Sequence, residues 1–326
     1  MPIDVNFITG NLGQAIHTED LLEYLREGLA STGLKVGYSR EEYLSGGVNI
    51  LLENPFENVY EQLSAIRKAC PQSRLYLVVT ELLTPTGFNS SNYNKGEKPT
   101  TTSHYDDRAY WIDRTKEFMR FVPVVDGLIM VGLERVNGRL PAGYDRGVDS
   151  YFKLGKPVHL VPLCPSPAQS RAITEGAHGD KDIDILFTGT ITPYRKTVLN
   201  QLRARNFKVV DLEAHMPGYL RNNYVSRSKL SVGLKLSEDT EILSTMRAYY
   251  HLTNRVPHVF ERTAIQSPLD PFLNISDSGD AFLDACARLL SGADEFPSRG
   301  FSEFHNSKKI HYARIFSELR SSLAHG

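Results

Sequence analysis

Val5-Asn6-Phe7-Ile8-Thr9 runs into Gly10-Asn11-Leu12-Gly13 and then into a segment carrying Ile16, Leu21, Leu22, Leu25 and Leu29 at helical spacing, ending near Gly33. An apolar run of strand length, a glycine turn and an amphipathic helix, in that order, form one βα unit. Leu34 to Tyr38 follows at once as a second strand, so the helix is a crossover and the two strands are expected to run parallel.

The alternation continues with a strand at Val48 to Leu52, a helix carrying Phe56, Val59, Leu63 and Ile66, and a strand at Leu75 to Val79. A helix from Asp106 to Phe121 and strands at Gly127 to Val131 and Val158 to Val161 complete a first domain, residues 1–165. Between them, Thr84 to Ser103 is rich in Thr, Ser, Asn, Gly and Pro and too long for a plain connection, which reads as a functional loop or a partly disordered one. Pro162, Pro165 and Pro167 open a linker of small and charged residues, placed at 166–181.

The pattern then restarts over 182–300. Strands are expected at Ile183 to Phe187, Phe207 to Val210, Leu230 to Leu236 and Val256 to Phe260. Helices begin at Pro193, around Ile242 and Met246, and around Phe282. Residues 301–326 read as one last helix with Tyr312, Ile315, Phe316, Leu319 and Leu323 on one face. The fold class is α/β, two Rossmann-like parallel-sheet domains expected to face a cleft, with ligands outside the carboxyl ends of the strands.

Charge and cysteine content narrow the function. The 37 basic residues nearly cancel the 38 acidic ones, so no global field draws the chain to nucleic acid or an anionic membrane. Cys70, Cys164 and Cys286 are far apart and form no C-x-x-C pair, which points away from a zinc site or a disulfide framework and toward a reducing, cytoplasmic setting. The longest apolar stretch, Val122 to Leu133, is interrupted by Asp126 and is too short to span a bilayer. No G-x-S-x-G, P-loop or H-E-x-x-H pattern is present.

Several turns carry chemistry. His17, at a helix start after the first strand, suits a general base, although a solvated surface histidine explains it as well. Phe187-Thr188-Gly189-Thr190 followed by Tyr194-Arg195-Lys196 puts a basic pair at a helix start, where amides and the dipole favour an anion and cations are otherwise disfavoured. Glu261, at a strand end, suits a ribose diol or a surface ion pair. Tyr249 and Tyr250 suit a stacked base or the core. The basic residues Arg203, Arg205, Lys208, Arg221, Arg227 and Lys229 read as a solvated face.

Asp182 to Thr190, Tyr194-Arg195, Ser228 to Leu236, Met246-Arg247-Ala248-Tyr249-Tyr250 and His258-Val259-Phe260-Glu261 together resemble the nucleotide-sugar domain of GT-B glycosyltransferases, nearest the spore-maturation-protein type. The resemblance covers residues 182–261. It implies a nucleotide-sugar donor whose diphosphate meets Gly189, Thr190, Arg195 and Arg247, with Glu261 on the ribose or sugar and Tyr194 and Tyr250 completing that side. The family's Arg-x-Phe-Glu stands here as Arg247-Ala248-Tyr249-Tyr250, without its acidic member.

A shorter likeness around Ile16-His17 implies that His17 deprotonates an acceptor hydroxyl with Asp107 or Glu81 orienting its ring, and that the acceptor, a saccharide, protein or small molecule, belongs to the first domain. No cofactor beyond the donor and no metal are implied, and the last helix is expected to cross back to the first domain. A nucleotide-sugar epimerase of the same fold and a catalytically silent binding or scaffold protein are the alternatives.

Overall fold

The computed structural model describes residues 4–10, 18–53, 59–89, 108–167, 169, 181–212, 216–293, 298–308 and 311–325. They form two compact units, Met1–Leu163 with Tyr312–Gly326, and Cys164–His311.

The first unit runs β1 (Val5–Ile8), α1 (Glu19–Ala30), β2 (Val36–Ser39), β3 (Val48–Leu52), α2 (Val59–Ala69) and β4 (Arg74–Val79). A short hairpin, β5 (Leu83–Thr84) and β6 (Gly87–Phe88), precedes α3 (Arg108–Phe121), β7 (Gly127–Val131), α4 (Asp145–Phe152) and β8 (Val158–Val161). The six long strands form one parallel sheet in the order β2-β1-β3-β4-β7-β8. Every residue of β1 is buried, as a strand covered on both faces requires.

The second unit runs β9 (Ile183–Thr188), α5 (Pro193–Ala204), β10 (Val209–Leu212), α6 (Gly218–Arg227), β11 (Ser228–Gly233), α7 (Thr245–Thr253) and β12 (His258–Glu261). A 3-10 turn (Asp270–Phe272), β13 (Ile275–Ser276), α8 (Asp280–Ser291) and α9 (Ser298–Lys308) complete it. Its parallel sheet has the order β10-β9-β11-β12-β13, so the direction of strand addition reverses between β9 and β11. One face is closed by Val198, Leu199 and Leu202 of α5 with Phe282, Leu283 and Cys286 of α8 against Ile185, Phe187, Val232 and Val259. The other is closed by Val225 of α6 and Tyr250 of α7 against Ile183 and Leu186. This is the two-sheet, doubly wound α/β architecture that the sequence implies.

The last stretch differs from expectation in one respect. Residues 301–326 do not form one helix: α9 ends at Lys308, and α10 spans Tyr312–His325. The apolar residues of the two helices have different destinations. Phe304 of α9 is buried beside Phe272 and Tyr249 in the second unit, whereas Phe316 of α10 is buried in the first, with its ring 5.3 Å from that of Tyr24 on α1. Gly28 of α1 makes the second contact possible, because a β-carbon there would lie 2.1 Å from Phe316 Cζ. The Tyr24 hydroxyl donates to the Pro162 carbonyl at 2.7 Å, tying α1 to the chain just after β8. The helices α4 and α6, the hairpin and β13 were not among the elements expected from the sequence and appear in the structure.

Candidate functional site

The reversal between β9 and β11 places two turns side by side at the carboxyl edge of the second sheet, where ligands of open α/β sheets bind. After β9, Gly189 takes φ +141°, a conformation reserved for glycine. Thr192 then caps α5 from an extended backbone, its hydroxyl accepting the Arg195 amide at 3.3 Å and donating to the Leu236 carbonyl at 2.7 Å. Pro193 at the first helical position suits the preset φ of proline.

Arg195 folds back from the first turn of α5 and is buried. Its Nε donates to the Lys235 carbonyl at 2.9 Å, Nη1 to the Thr190 carbonyl at 2.8 Å and Nη2 to the Leu234 carbonyl at 2.9 Å. A cation in the first turn is disfavoured by the helix dipole. Three charge-assisted hydrogen bonds offset that cost here, and they clamp the turn after β9 to the turn after β11. Arg247 approaches the same place from α7. Its guanidinium carbon lies 5.4 Å from the centre of the Phe187 ring, and that of Arg195 lies 5.3 Å from it. A β-carbon on residue 189 would stand 2.3 Å from Arg247 Nη2, so the guanidinium lies directly against the glycine.

Glu261 ends β12 almost fully buried. One carboxylate oxygen accepts the Lys235 amide at 2.8 Å and the other accepts the Tyr194 hydroxyl. Burial and the adjoining Glu261 raise the Tyr194 phenol, which therefore stays a donor. The helix carrying Arg247 is itself anchored: the Arg247 carbonyl meets His251 Nδ1 at 2.6 Å, and His251 Nε2 meets Ser231 Oγ on β11 at 2.7 Å.

The structure thus brings Gly189, Thr190, Arg195 and Arg247 together, with Tyr194 and Glu261 joined to them through Lys235. Tyr250 goes elsewhere. Its ring is in the core on the α6 face with Arg221 stacked on it at 4.2 Å, and its hydroxyl donates to Asn222 at 2.6 Å. Phe187, the ring under both arginines, and the carbonyls of Leu234 and Lys235 were not singled out in the sequence. The position of Phe187 two residues before Gly189 is the signal that could have marked it. The basic residues downstream are largely paired, Arg203 with Asp211, Arg205 with Asp284, Lys229 with Asp184, and both Lys208 and Arg227 with Asp182.

In the first unit, His17 and Asp107 lie outside the described residues, as does the 90–103 part of the long loop. Glu81 is described. It follows β4 and takes part in a cluster the sequence did not reveal. Arg114 of α3 reaches Glu53, just after β3, at 2.5 Å and Glu81 at 3.2 Å. Glu53 also accepts the Thr80 amide and, at 2.6 Å, the Thr80 hydroxyl, while Asn89 Nδ2 donates to Glu81 at 2.8 Å. Burial, set against the pull of Arg114, raises the Glu53 carboxyl above its ordinary range.

Among the described residues, no group of three or more His, Cys, Asp or Glu is placed to hold a metal ion, and no helix is long and apolar enough to cross a membrane.

The chain is therefore an α/β protein of two doubly wound parallel units, each with polar residues gathered at the carboxyl edge of its sheet. Two solved structures align with nearly all of it. One is the N-terminal domain of trehalose-6-phosphate phosphatase from Candida albicans, at 9% identity over 97% of this chain and 80% of that chain, with a TM-score of 0.43. The other is an alpha1,3-fucosyltransferase, at 11% identity over 99% of this chain and 90% of that chain, with a TM-score of 0.40. No family model and no curated protein matches the sequence, so the narrower kinship with the spore-maturation-protein type gains no support.

Proposed function

We propose that this chain is a glycosyltransferase that carries a sugar from a nucleoside-diphosphate donor to an acceptor hydroxyl, with the donor held by the second unit. The observation that carries this reading is Arg247 lying against Gly189 over the Phe187 ring, beside the start of α5. A diphosphate needs amide donors, a helix N-terminus and a fixed cation, and this edge supplies all three.

In this reading Arg247 and the turn at Gly189 and Thr190 stabilise the diphosphate as it leaves with the bonding electron pair. Arg195 shapes the turn rather than spending its charge on the ligand, since three carbonyls engage it. Glu261 acts by fixing Tyr194 and the Lys235 amide around the ribose or sugar. The acceptor, a saccharide, protein or small molecule, belongs to the first unit. The three cysteines are free thiols, in keeping with work in the reducing cytoplasm.

A second reading, binding without turnover, is favoured by Tyr250, a core tyrosine where the resembled family carries an acid. Thermal shift against UDP, GDP, ADP, CDP and dTDP tests the donor site, followed by diphosphate release from the matching sugar conjugates. One diphosphate should stabilise the chain, and Arg247→Ala should weaken its binding at least tenfold. Binding without release in any mixture of acceptors would select the second reading, and no binding at all would remove both.

A further inference from the structure

The helix that brings Arg247 to the anion edge also carries a histidine one turn further on. His251 of α7 and Ser231 of β11 are both buried. His251 Nδ1 lies 2.6 Å from the Arg247 carbonyl, and Nε2 lies 2.7 Å from Ser231 Oγ. A carbonyl can only accept, so Nδ1 carries the hydrogen and the neutral ring offers Nε2 to the Ser231 hydroxyl. Ser231 Oγ has a second partner, the Leu186 carbonyl of β9 at 3.3 Å. Ser231 and Leu186 are paired in the sheet, and the next pair along is Val232 with Phe187, whose ring lies under Arg247.

The Leu186 carbonyl gives this chain of groups two complete hydrogen-bond arrangements. With His251 neutral, Ser231 donates to Nε2. With His251 protonated, Nε2 donates to Ser231 Oγ, and the hydroxyl hydrogen turns to the Leu186 carbonyl. No buried polar group between the Arg247 and Leu186 carbonyls loses its partner in either state, so the proton is opposed by burial and by nearby positive charge rather than by a broken bond. His258 lacks that latitude. Its ring centre is 5.7 Å from that of His251, its Nδ1 donates to the Val256 carbonyl, and its Nε2 accepts the Asn274 amide, whose hydrogen cannot turn away.

The titratable and charged groups that face His251 are Arg247 and Tyr250 on its own helix, Arg221 from α6 and His258 from β12. Burial, His258 and the two arginines together hold the imidazole neutral. A polyanion at Gly189 and Arg247 offsets the Arg247 charge, which is the change that favours an imidazolium one turn away.

We propose that His251 and Ser231 form a proton-linked regulator of the anion site, a role that rests on the diphosphate reading of that edge: filling the site draws a proton from solvent onto His251 Nε2, and the ligand binds more tightly as pH falls. The step forms an N–H bond at Nε2 with a proton supplied by the buffer, and Ser231 keeps its own hydrogen while redirecting it. The coupling is reciprocal, so whatever the bound anion adds to the proton affinity of His251, the proton adds to the affinity for the anion.

Titration calorimetry with UDP-, GDP-, ADP-, CDP- and dTDP-sugars, whose diphosphate charge is constant between pH 5.5 and 7.5, tests this in buffers of different ionisation heat. Wild type should take up almost no proton at pH 7.5 and a growing fraction of one toward pH 5.5, while its affinity rises about threefold or more. In His251→Gln, which has no proton to gain, the ratio of affinities at the two pH values should fall to near one. Ser231→Ala removes the hydroxyl that turns and should lose most of the uptake while keeping the imidazole. Where either variant fails to melt cooperatively, the nitrogen-15 resonances of the wild-type histidine rings decide: at pH 5.5 ligand should convert a neutral ring to the imidazolium pattern. Binding with no proton uptake in wild type, no such ring, or the same affinity ratio in His251→Gln as in wild type overturns the proposal and leaves the donor site standing. Full uptake in Ser231→Ala overturns the part given to the hydroxyl. Failure of every sugar conjugate to bind wild type instead removes the diphosphate reading, and the proposal with it.

Discussion

Arg247 Nη2 lies 2.3 Å from the position that a β-carbon on residue 189 would occupy, so the arginine and the glycine define each other's place. Because residue 189 also sits at φ +141°, any side chain there meets both a strained backbone and a displaced guanidinium. Gly189→Ala is expected to cost about 2 kcal/mol of stability, within the range for such strain. It should also reduce diphosphate affinity at least tenfold. Adding Arg247→Ala to Gly189→Ala should return part of the stability in a double-mutant cycle measured by urea unfolding. Strict additivity would show that the contact is not felt.

Arg195 and Arg247 share the Phe187 ring but should respond differently to truncation. Arg195→Ala leaves one buried and two half-buried carbonyls without their donor and is expected to destabilise the chain by about 3 kcal/mol. Arg247→Ala should cost less stability than Arg195→Ala while losing anion affinity. Urea midpoints with and without the stabilising diphosphate separate the two effects. Equal losses of stability would mean that Arg247 is a clamp as well.

Acid should weaken the second unit through its buried histidines. His258 Nδ1 donates to the Val256 carbonyl at 2.8 Å, which leaves Nε2 to accept the Asn274 amide at 3.3 Å, and a proton on Nε2 would set two donors face to face. Burial holds this imidazole down at about 4 and holds His251 well below its ordinary value. With the folded value depressed, the unfolded chain binds the extra proton first. The contribution is therefore complete above about pH 6.5 and is lost as pH falls toward 4, about 3 kcal/mol for His258 alone. Urea unfolding at pH 7 and pH 4.5 measures the drop, and His258→Gln should reduce it. An identical drop in the variant would assign the acid response to other groups.

How far the sequence foretold all this depends on the kind of residue. The alternation of apolar runs with helical periods located the long strands within a few residues, since strands buried on both faces are written in consecutive apolar positions such as Leu75 to Val79. Helix α6 was missed because Gly218-Tyr219-Leu220-Arg221-Asn222-Asn223-Tyr224-Val225 buries little beyond Gly218 and Val225. Gly189 and Arg195 were legible as a glycine turn and a cation at the helix start after a strand, and Arg247 through the family resemblance. The clamp on three carbonyls was not, because the partners of Arg195 are backbone atoms, which carry no sequence signature. The Glu53–Arg114–Glu81 cluster was hidden for a different reason: its members are separated by 61 residues at the widest pairing and meet only when the sheet forms.

Phe316 and Gly28 carry the attachment of α10 to α1. Phe316→Ala is expected to cost about 3–5 kcal/mol, the range for removing a buried aromatic ring. Gly28→Ala should be nearly as damaging, because its β-carbon would overlap that ring. Limited proteolysis between α9 and α10, with urea unfolding alongside, checks both variants. Wild-type midpoints would place the attachment in other contacts.

The first unit closes with Tyr312–Gly326, while the 148 residues of Cys164–His311 fold as a unit of their own. During synthesis, at about 5–20 residues per second, the ribosome therefore spends about 7–30 s making the inserted unit before α10 emerges. Throughout that interval the face of α1 that carries Tyr24 and Gly28 has no helix to cover it. The nascent chain thus exposes a sticky surface for a defined time, and a slow codon or a stall near its end prolongs that exposure rather than the folding of the unit in between.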